Sequence, residues 1–276
     1  DVKDFKCSFM HQAISEKKWA FATDYIRARV LRDHGGIYTD LDVVPIRPFS
    51  NIPEASFVVG WESAFMLGPH FLACEKEHTL AKILVGYYEQ AQFIEKEEFL
   101  NCTPIPTLLT WICHERYQLV LNGEQQHLKD DVQILPVDFF TLNLGTGNEI
   151  ADHLYDGGWL PNGETYRNQV AEFWEREQRP SRKILRKVVG IFPRSFQFKF
   201  YNFLNAKHAF PAAYEYAGYD AREFSRFRSI RLAQEVLHRL KGLENLRERS
   251  PLRTISHHHL QRRQSSNAPS NREILK

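Results

Sequence analysis

The chain has 276 residues, 43% hydrophobic and 13% aromatic, enough for one large domain or one domain with an appendage. A net charge of +2 singles out no class of partner, and no apolar run is long enough to span a membrane. Cys7, Cys74, Cys102 and Cys113 lack CxxC spacing, so they indicate neither a zinc site nor a disulfide framework, and a reducing compartment is the default.

The spacing predicts a helix over 13–33. After the polar run Ser15-Glu16-Lys17-Lys18, the residues Trp19, Ala22, Ile26 and Val30 recur at helical steps and define one apolar face. Asp24 and Arg27 lie one turn apart on another face, so both can reach one ligand. Gly35-Gly36 ends the helix, because glycine adopts the left-handed conformation without a Cβ penalty. An extended segment follows, with a strand near 37–41. In it Ile37, Thr39, Leu41 and Val43 share one side, and Tyr38, Asp40 and Asp42 the other. Two carboxylates on one side of a strand end, with no lysine between them, repel each other. A divalent cation relieves the repulsion, and oxygen ligands suit magnesium or manganese. Taken singly, Asp40 with Asp42 also fits a plain strand-end turn, and Asp24 with Arg27 a surface ion pair.

The whole run, Thr23-Asp24-Tyr25-x-Arg27 and then Gly35-Gly36-Ile37-Tyr38-x-Asp40-x-Asp42, resembles the signature of DXD-containing sugar transferases with a GT-A fold. The resemblance is to the Och1-like mannosyltransferase and bacterial capsular-polysaccharide glycosyltransferase family, whose core the glucosylating domains of large clostridial toxins share. It implies an α/β fold, a Rossmann-like mixed sheet flanked by helices. In that family a strand and a helix come first, and the opening strand supplies part of the nucleotide pocket. Nothing in Asp1 to Met10 replaces it, so the sequence reads as truncated at its N-terminus, with any signal or anchor lost alongside.

Further on, Pro45 and Pro48 bracket a turn. Strands are predicted near 56–59 and 64–67, with Gly68 and Pro69 closing the second. Trp61 could stack on a sugar, although a buried aromatic is the plainer reading. A helix over 80–93 presents Leu80, Ile83, Leu84, Tyr87 and Tyr88 on one face. His78 stands where the family has a Gly-His-Pro turn and is given no role. A loop over 101–107 enters a helix over 108–121. There Thr103 is either an acceptor contact or a helix-entry hydroxyl. Gln133 to Phe140 resembles the family's late strand with its Pro-x-x-Phe/Tyr-Phe ending, a structural segment.

The stretch Asp152-His153-Leu154-Tyr155-Asp156-Gly157-Gly158-Trp159 resembles the family's His-x-x-x-Gly-Ser-Trp closing motif, departing from it at Gly158. The resemblance implies that His153 completes a metal shell and that Trp159 packs over the sugar phosphate. Asp24, Arg27, Asp40 and Asp42 then carry the catalytic roles, and Asp24, Arg27, Tyr38, Asp40 and Trp159 bind the donor. Asp42 and His153 hold Mn2+ or Mg2+, with Asp40 joining directly or through water.

Near Arg176 the composition shifts. Residues 176–207 hold nine basic residues against Glu177 alone, a charge of +8, with phenylalanines interleaved. Such a segment suits peripheral contact with an anionic membrane or a solvated helix packed on the domain; no motif supports nucleic-acid binding. The expected organisation is a catalytic domain over 1–175, a basic helical extension over 176–249 and a disordered tail over 250–276. The expected function is metal-dependent sugar transfer from a nucleotide sugar to a glycan or lipid-linked acceptor, with retention of configuration. Surface polysaccharide, capsule or glycan synthesis is the expected setting, and the location is cytoplasmic or peripheral to the inner membrane surface. Two alternatives stand beside it. One is a haloacid-dehalogenase-like phosphatase with Asp40 as nucleophile and Lys129-Asp130-Asp131 as its later basic and acidic groups. The other is a non-catalytic remnant that binds sugar nucleotides.

Overall fold

The computed structural model describes residues 4–95, 100–156, 167–194, 196–197 and 200–201. Trp159, with Gly157 and Gly158 before it, lies outside the described residues, as do residues 202–249 of the expected extension and the 250–276 tail.

Two helices open the chain, α1 (Ser8–Ser15) and α2 (Trp19–His34). The single helix predicted over 13–33 breaks between them because Lys17 takes a left-handed conformation, φ 56°, and the Lys17 and Lys18 amides close back onto Ile14 and Ala13. The predicted apolar face of α2 is also corrected. Trp19 is 57% exposed and Val30 42%, whereas Phe21, Ala22, Tyr25, Ala28 and Leu31 are buried. Aromatic partners decide this rotation. Phe21 lies 5.4 Å from Phe93, and Tyr25 lies 6.3 Å from Tyr88 on α3 (Thr79–Gln90).

Asp24, one turn from Arg27, therefore points into the protein. Gly35 turns the chain out of α2 with φ 72°, and a Cβ there would sit 2.7 Å from the Lys76 backbone nitrogen, so only glycine fits.

The remaining strands are β1 (Gly36–Thr39), β2 (Val43–Pro45), β3 (Phe57–Ser63), β4 (Met66–Cys74), β5 (Gln126–Leu128), β6 (Val132–Leu135) and β7 (Ala151–His153). Five of them form a mixed sheet in the order β1-β4-β3-β6-β5, in which only the β3–β6 pair is parallel. Helices flank the sheet, so the fold is mixed α/β as expected. On one face Phe57, Val59 and Trp61 join a large core with α2, α3 and α4 (Ile105–Arg116). On the other, Val58, Phe71, Leu135 and Phe140 form a smaller core with Val43, Ile150 and Ala151 of the β2–β7 region. Phe140 belongs to a short helix, α5 (Val137–Phe140). Trp61 is fully buried and donates its indole N–H to the Glu124 carbonyl, which excludes sugar stacking.

Two strand boundaries move. The β3–β4 hairpin is longer than predicted, and Gly68 and Pro69 lie inside β4 rather than ending it. The pairing jumps from Val59↔Leu72 to Gly60↔Gly68, so Pro69, His70 and Phe71 bulge out of register with β3. A bulge tolerates proline in a central strand and re-aims the residues it carries.

At the C-terminal side, α6 (Arg167–Gln178) runs across the composition shift at 175–176 and is followed by α7 (Pro180–Gly190). Phe173 and Tyr201 pack on Phe65 at 5.7 and 5.1 Å, and buried Glu177 pairs with Arg186 at 3.0 Å. All four cysteines are buried and unpaired.

Candidate sugar-nucleotide and metal site

Strand β1 ends at Thr39, before the two aspartates. Asp40 to Val43 form a turn closed by the Val43 amide on the Asp40 carbonyl at 3.2 Å. Leu41 is fully exposed. The expected alternation thus stops at Thr39, and the turn, rather than a strand face, brings the Asp40 and Asp42 side chains together. The Asp40 amide is tied to the His70 carbonyl at 2.9 Å, so the β4 bulge anchors the turn.

Arg27 is the hub of the inner half. Its guanidinium meets Asp24 at 3.2 Å, Asp40 at 3.3 Å and the Pro69 carbonyl at 3.2 Å, and lies 4.6 Å from the centre of the Tyr38 ring. The Tyr38 hydroxyl donates to Asp40 at 2.6 Å. Burial pushes the Asp24 carboxyl up to about 7, opposed by Arg27 and by an N–H from Ile105 at the start of α4. For Arg27 burial works against the charge, but Asp24 and Asp40 outweigh it and keep it protonated. Arg27 Nε is buried without a hydrogen-bond partner among the described residues, a donor in reserve beside the carboxylates.

The outer half comes from far along the chain. Antiparallel pairing of β2 with β7 sets Val43 opposite His153 and delivers the imidazole to Asp42. His153 Nε2 is 3.2 Å from Asp42 Oδ2, which also accepts the Asp156 amide at 3.2 Å. That His153 contact holds the Asp42 carboxyl below its usual range, against a smaller opposing effect of burial. Arg167 clamps the ribbon, donating to the His153 carbonyl at 2.7 Å and to both Asp152 oxygens at 2.8 and 2.9 Å. Asp40, Asp42 and His153 each offer one ligand atom, and these atoms all lie within 4.8 Å of one another. Two carboxylates and one imidazole are a hard, manganese-compatible donor set, and the partly exposed aspartates leave a side open.

Several neighbours of the site carry no sequence motif. His70 stacks on His153 at 4.3 Å and bonds Thr141 Oγ1 at 3.0 Å, while Tyr155 lies 3.9 Å from His153 on another side. Burial, and then the nearby His153, keep His70 neutral by pulling its pKa well down. Glu62 shares the strand face of Val58 and Gly60 and points toward the same region. Burial pushes its carboxyl up to about 7, with His153 opposing and Asp40 adding to the rise. The only sequence signal for Glu62 was its two-residue spacing from Gly60, and for His70 the continuation of a strand past Gly68-Pro69.

Other expectations resolve locally. Thr103 is buried and donates to Asn101 Oδ1 at 2.8 Å, while Pro104 occupies the cap position of α4, so the hydroxyl neither caps the helix nor faces an acceptor. His78 accepts the Leu80 amide and caps α3, a structural task. The dehalogenase-like arrangement fails on topology. β1, β3 and β6 run in the same direction, and Asp131 binds Ser56 at the start of β3, at the sheet edge opposite Asp40.

The family model described as "Glycosyltransferase sugar-binding region containing DXD motif" matches residues 2–58. Searches of curated proteins and of solved structures each returned no match. The matched segment carries Asp24, Arg27, Tyr38, Asp40 and Asp42, whereas Glu62, His70 and His153 lie beyond it. The match supports a glycosyltransferase of the GT-A type that uses a DXD motif.

Proposed function

We propose that the protein transfers a sugar from a nucleotide-sugar donor to an acceptor hydroxyl with a divalent cation, manganese or magnesium, at Asp40, Asp42 and His153. The observation that carries this reading is the convergence of His153 on the DXD turn, the three ligand atoms lying within 4.8 Å of one another beside the Arg27 hub. When bound, the cation offsets the negative charge of the departing diphosphate. Asp42, held ionised, and His153, held by its stack on His70 and by the tilted Tyr155 ring, are its protein ligands, with Asp40 joining directly or through water. Arg27 adds a fixed positive charge on the diphosphate side, oriented by Asp24 and Asp40 so that little reorganisation is needed during reaction. Asp24 and Tyr38 fix the sugar's pose. Trp159 is assigned to cover the sugar phosphate. Retention of configuration and a glycan or lipid-linked acceptor in surface polysaccharide synthesis belong to the same proposal.

The test is release of nucleoside diphosphate from a panel of nucleotide sugars with Mn2+, Mg2+ or excess chelator. Turnover is expected with the metals only. Asp42→Asn should lower it by at least about 100-fold while circular dichroism shows the fold intact. Equal turnover in chelator or in this variant contradicts the metal-dependent reading. Tight donor binding without turnover on any donor points instead to a non-catalytic sugar-nucleotide module.

A further inference from the structure

We infer that the outward face of α7, continued through Phe196, is a docking surface for an anionic lipid bilayer. This helix is apolar on two sides, whereas a helix packed on a domain ordinarily needs one apolar stripe. Its inner side is satisfied. Leu185 and Val189 pack into the main core, and Arg182 and Arg186 turn inward to Glu177 at 3.7 and 3.0 Å. The outer side holds Ile184 at 62% exposure, Val188 at 46% and Ile191 at 83%. Phe192 and Phe196 extend it, their rings 4.7 Å apart and both exposed. At 3.6 residues per turn, Lys183, Lys187, Ile191, Ile184, Val188 and Phe192 occupy one continuous arc, with the two lysines along one edge.

The charge identifies the occupant. Lys183 and Lys187 are exposed, and the ion pairs of α7 among the described residues go to Arg182 and Arg186 instead. Residues 202–276 carry fourteen basic residues against seven acidic ones, so the rest of the chain is a poor counter-charge for this edge. A nucleic acid offers phosphates but nothing for an isoleucine–valine stripe. An anionic bilayer satisfies both features. Acyl chains take the stripe, and headgroup phosphates or carboxylates take the lysines. Within α7 the basic residues thus divide into Arg182 and Arg186, which pair with Glu177, and Lys183 and Lys187, which are exposed. The inference is independent of the transferase reading.

Vesicle co-sedimentation of the full chain tests it, with phosphatidylcholine vesicles and with vesicles containing phosphatidylserine. The protein is expected to sediment with the anionic vesicles only and to be released by high salt. Lys183→Gln with Lys187→Gln should lower partitioning about 30-fold, the effect of removing two headgroup contacts. Ile184→Ser with Ile191→Ser should abolish binding while circular dichroism stays unchanged. Recovery in the supernatant under every condition overturns the inference. So does undiminished binding by both variants, or light scattering that shows the face taken up by a second copy of the chain.

Discussion

Arg27 shows how a single side chain joins the parts of a site. Because it contacts Asp24, Asp40 and the Pro69 carbonyl at once, it ties α2, the DXD turn and the β4 bulge together. Burial still outweighs this cation at Asp24, whose carboxyl is pushed up to about 7 from an ordinary 3.8, and it likewise pushes the Glu62 carboxyl up to about 7 from an ordinary 4.5. Between these values the folded state holds a proton that the unfolded chain releases, so this group's contribution falls as pH rises from about 4.5 through 7. Buried His70 and His114 act in the opposite sense, since their lowered values favour the folded state as pH rises. A comparison of variants isolates the glutamate. In chelator, the melting temperature of Glu62→Gln should gain on that of the natural protein between pH 5 and 7.5. A gap that stays constant across this range contradicts the assignment. Asp24, Arg27, Tyr38, Asp40, Asp42 and His153 were legible as residue types at fixed spacings. Glu62 and His70 were not, because their nearness depends on strand pairing and on a bulge that no local pattern announces.

At the scale of elements, the β4 bulge and the β2–β7 ribbon do most of the positioning. The bulge presents the Pro69 carbonyl to Arg27, the His70 carbonyl to the Asp40 amide and the His70 ring to His153. Gly68 leaves room for that ring. A Cβ there would lie 2.3 Å from His70 Cε1 and 3.1 Å from Glu62 Cβ. Gly68→Ala should therefore displace the His70–His153 stack and lower Mn2+ affinity about 10-fold, the usual size of a lost support behind a metal ligand. Gly60→Ala meets Phe140 at 2.9 Å in the small core and should cost stability with Mn2+ affinity unchanged. Chemical denaturation and Mn2+ titration of both variants separate the two effects, and equal metal affinity in both contradicts the supporting role of His70. The sequence patterns located β1 and α3 to within a few residues and found β3, β4 and α4, but they ended β3 and β4 too early and ran α4 past Arg116. They misplaced the buried face of α2, because Phe21 and Tyr25 are chosen by aromatic partners some seventy residues away, beyond the reach of periodicity. They also carried the strand to 41 and its alternation through Asp42, since alternation cannot distinguish a strand end from a turn that carries both carboxylates.

In the whole molecule the site lies where three distant parts of the chain meet: the helix and turn of the first segment, the hairpin, and the ribbon that closes through His153. The outward face of α7 lies on a separate helix, so the inferred membrane contact and the proposed donor chemistry can be tested independently. Among the described residues no helix is long and apolar enough to cross a membrane, and the surface inferred on α7 requires none. The meeting of the three parts is what forms the candidate cation site, and metal binding tests it without knowledge of the sugar, the base or the acceptor. The decisive measurement is a Mn2+ titration followed by electron paramagnetic resonance. It compares the natural protein with Asp42→Asn, His153→Ala and Asp131→Asn, the last at the opposite sheet edge. One equivalent of Mn2+ should bind the natural protein and Asp131→Asn alike, and affinity should fall at least about 10-fold in Asp42→Asn and in His153→Ala. Unchanged binding in either of those two variants, or no binding by the natural protein, would contradict the site described here.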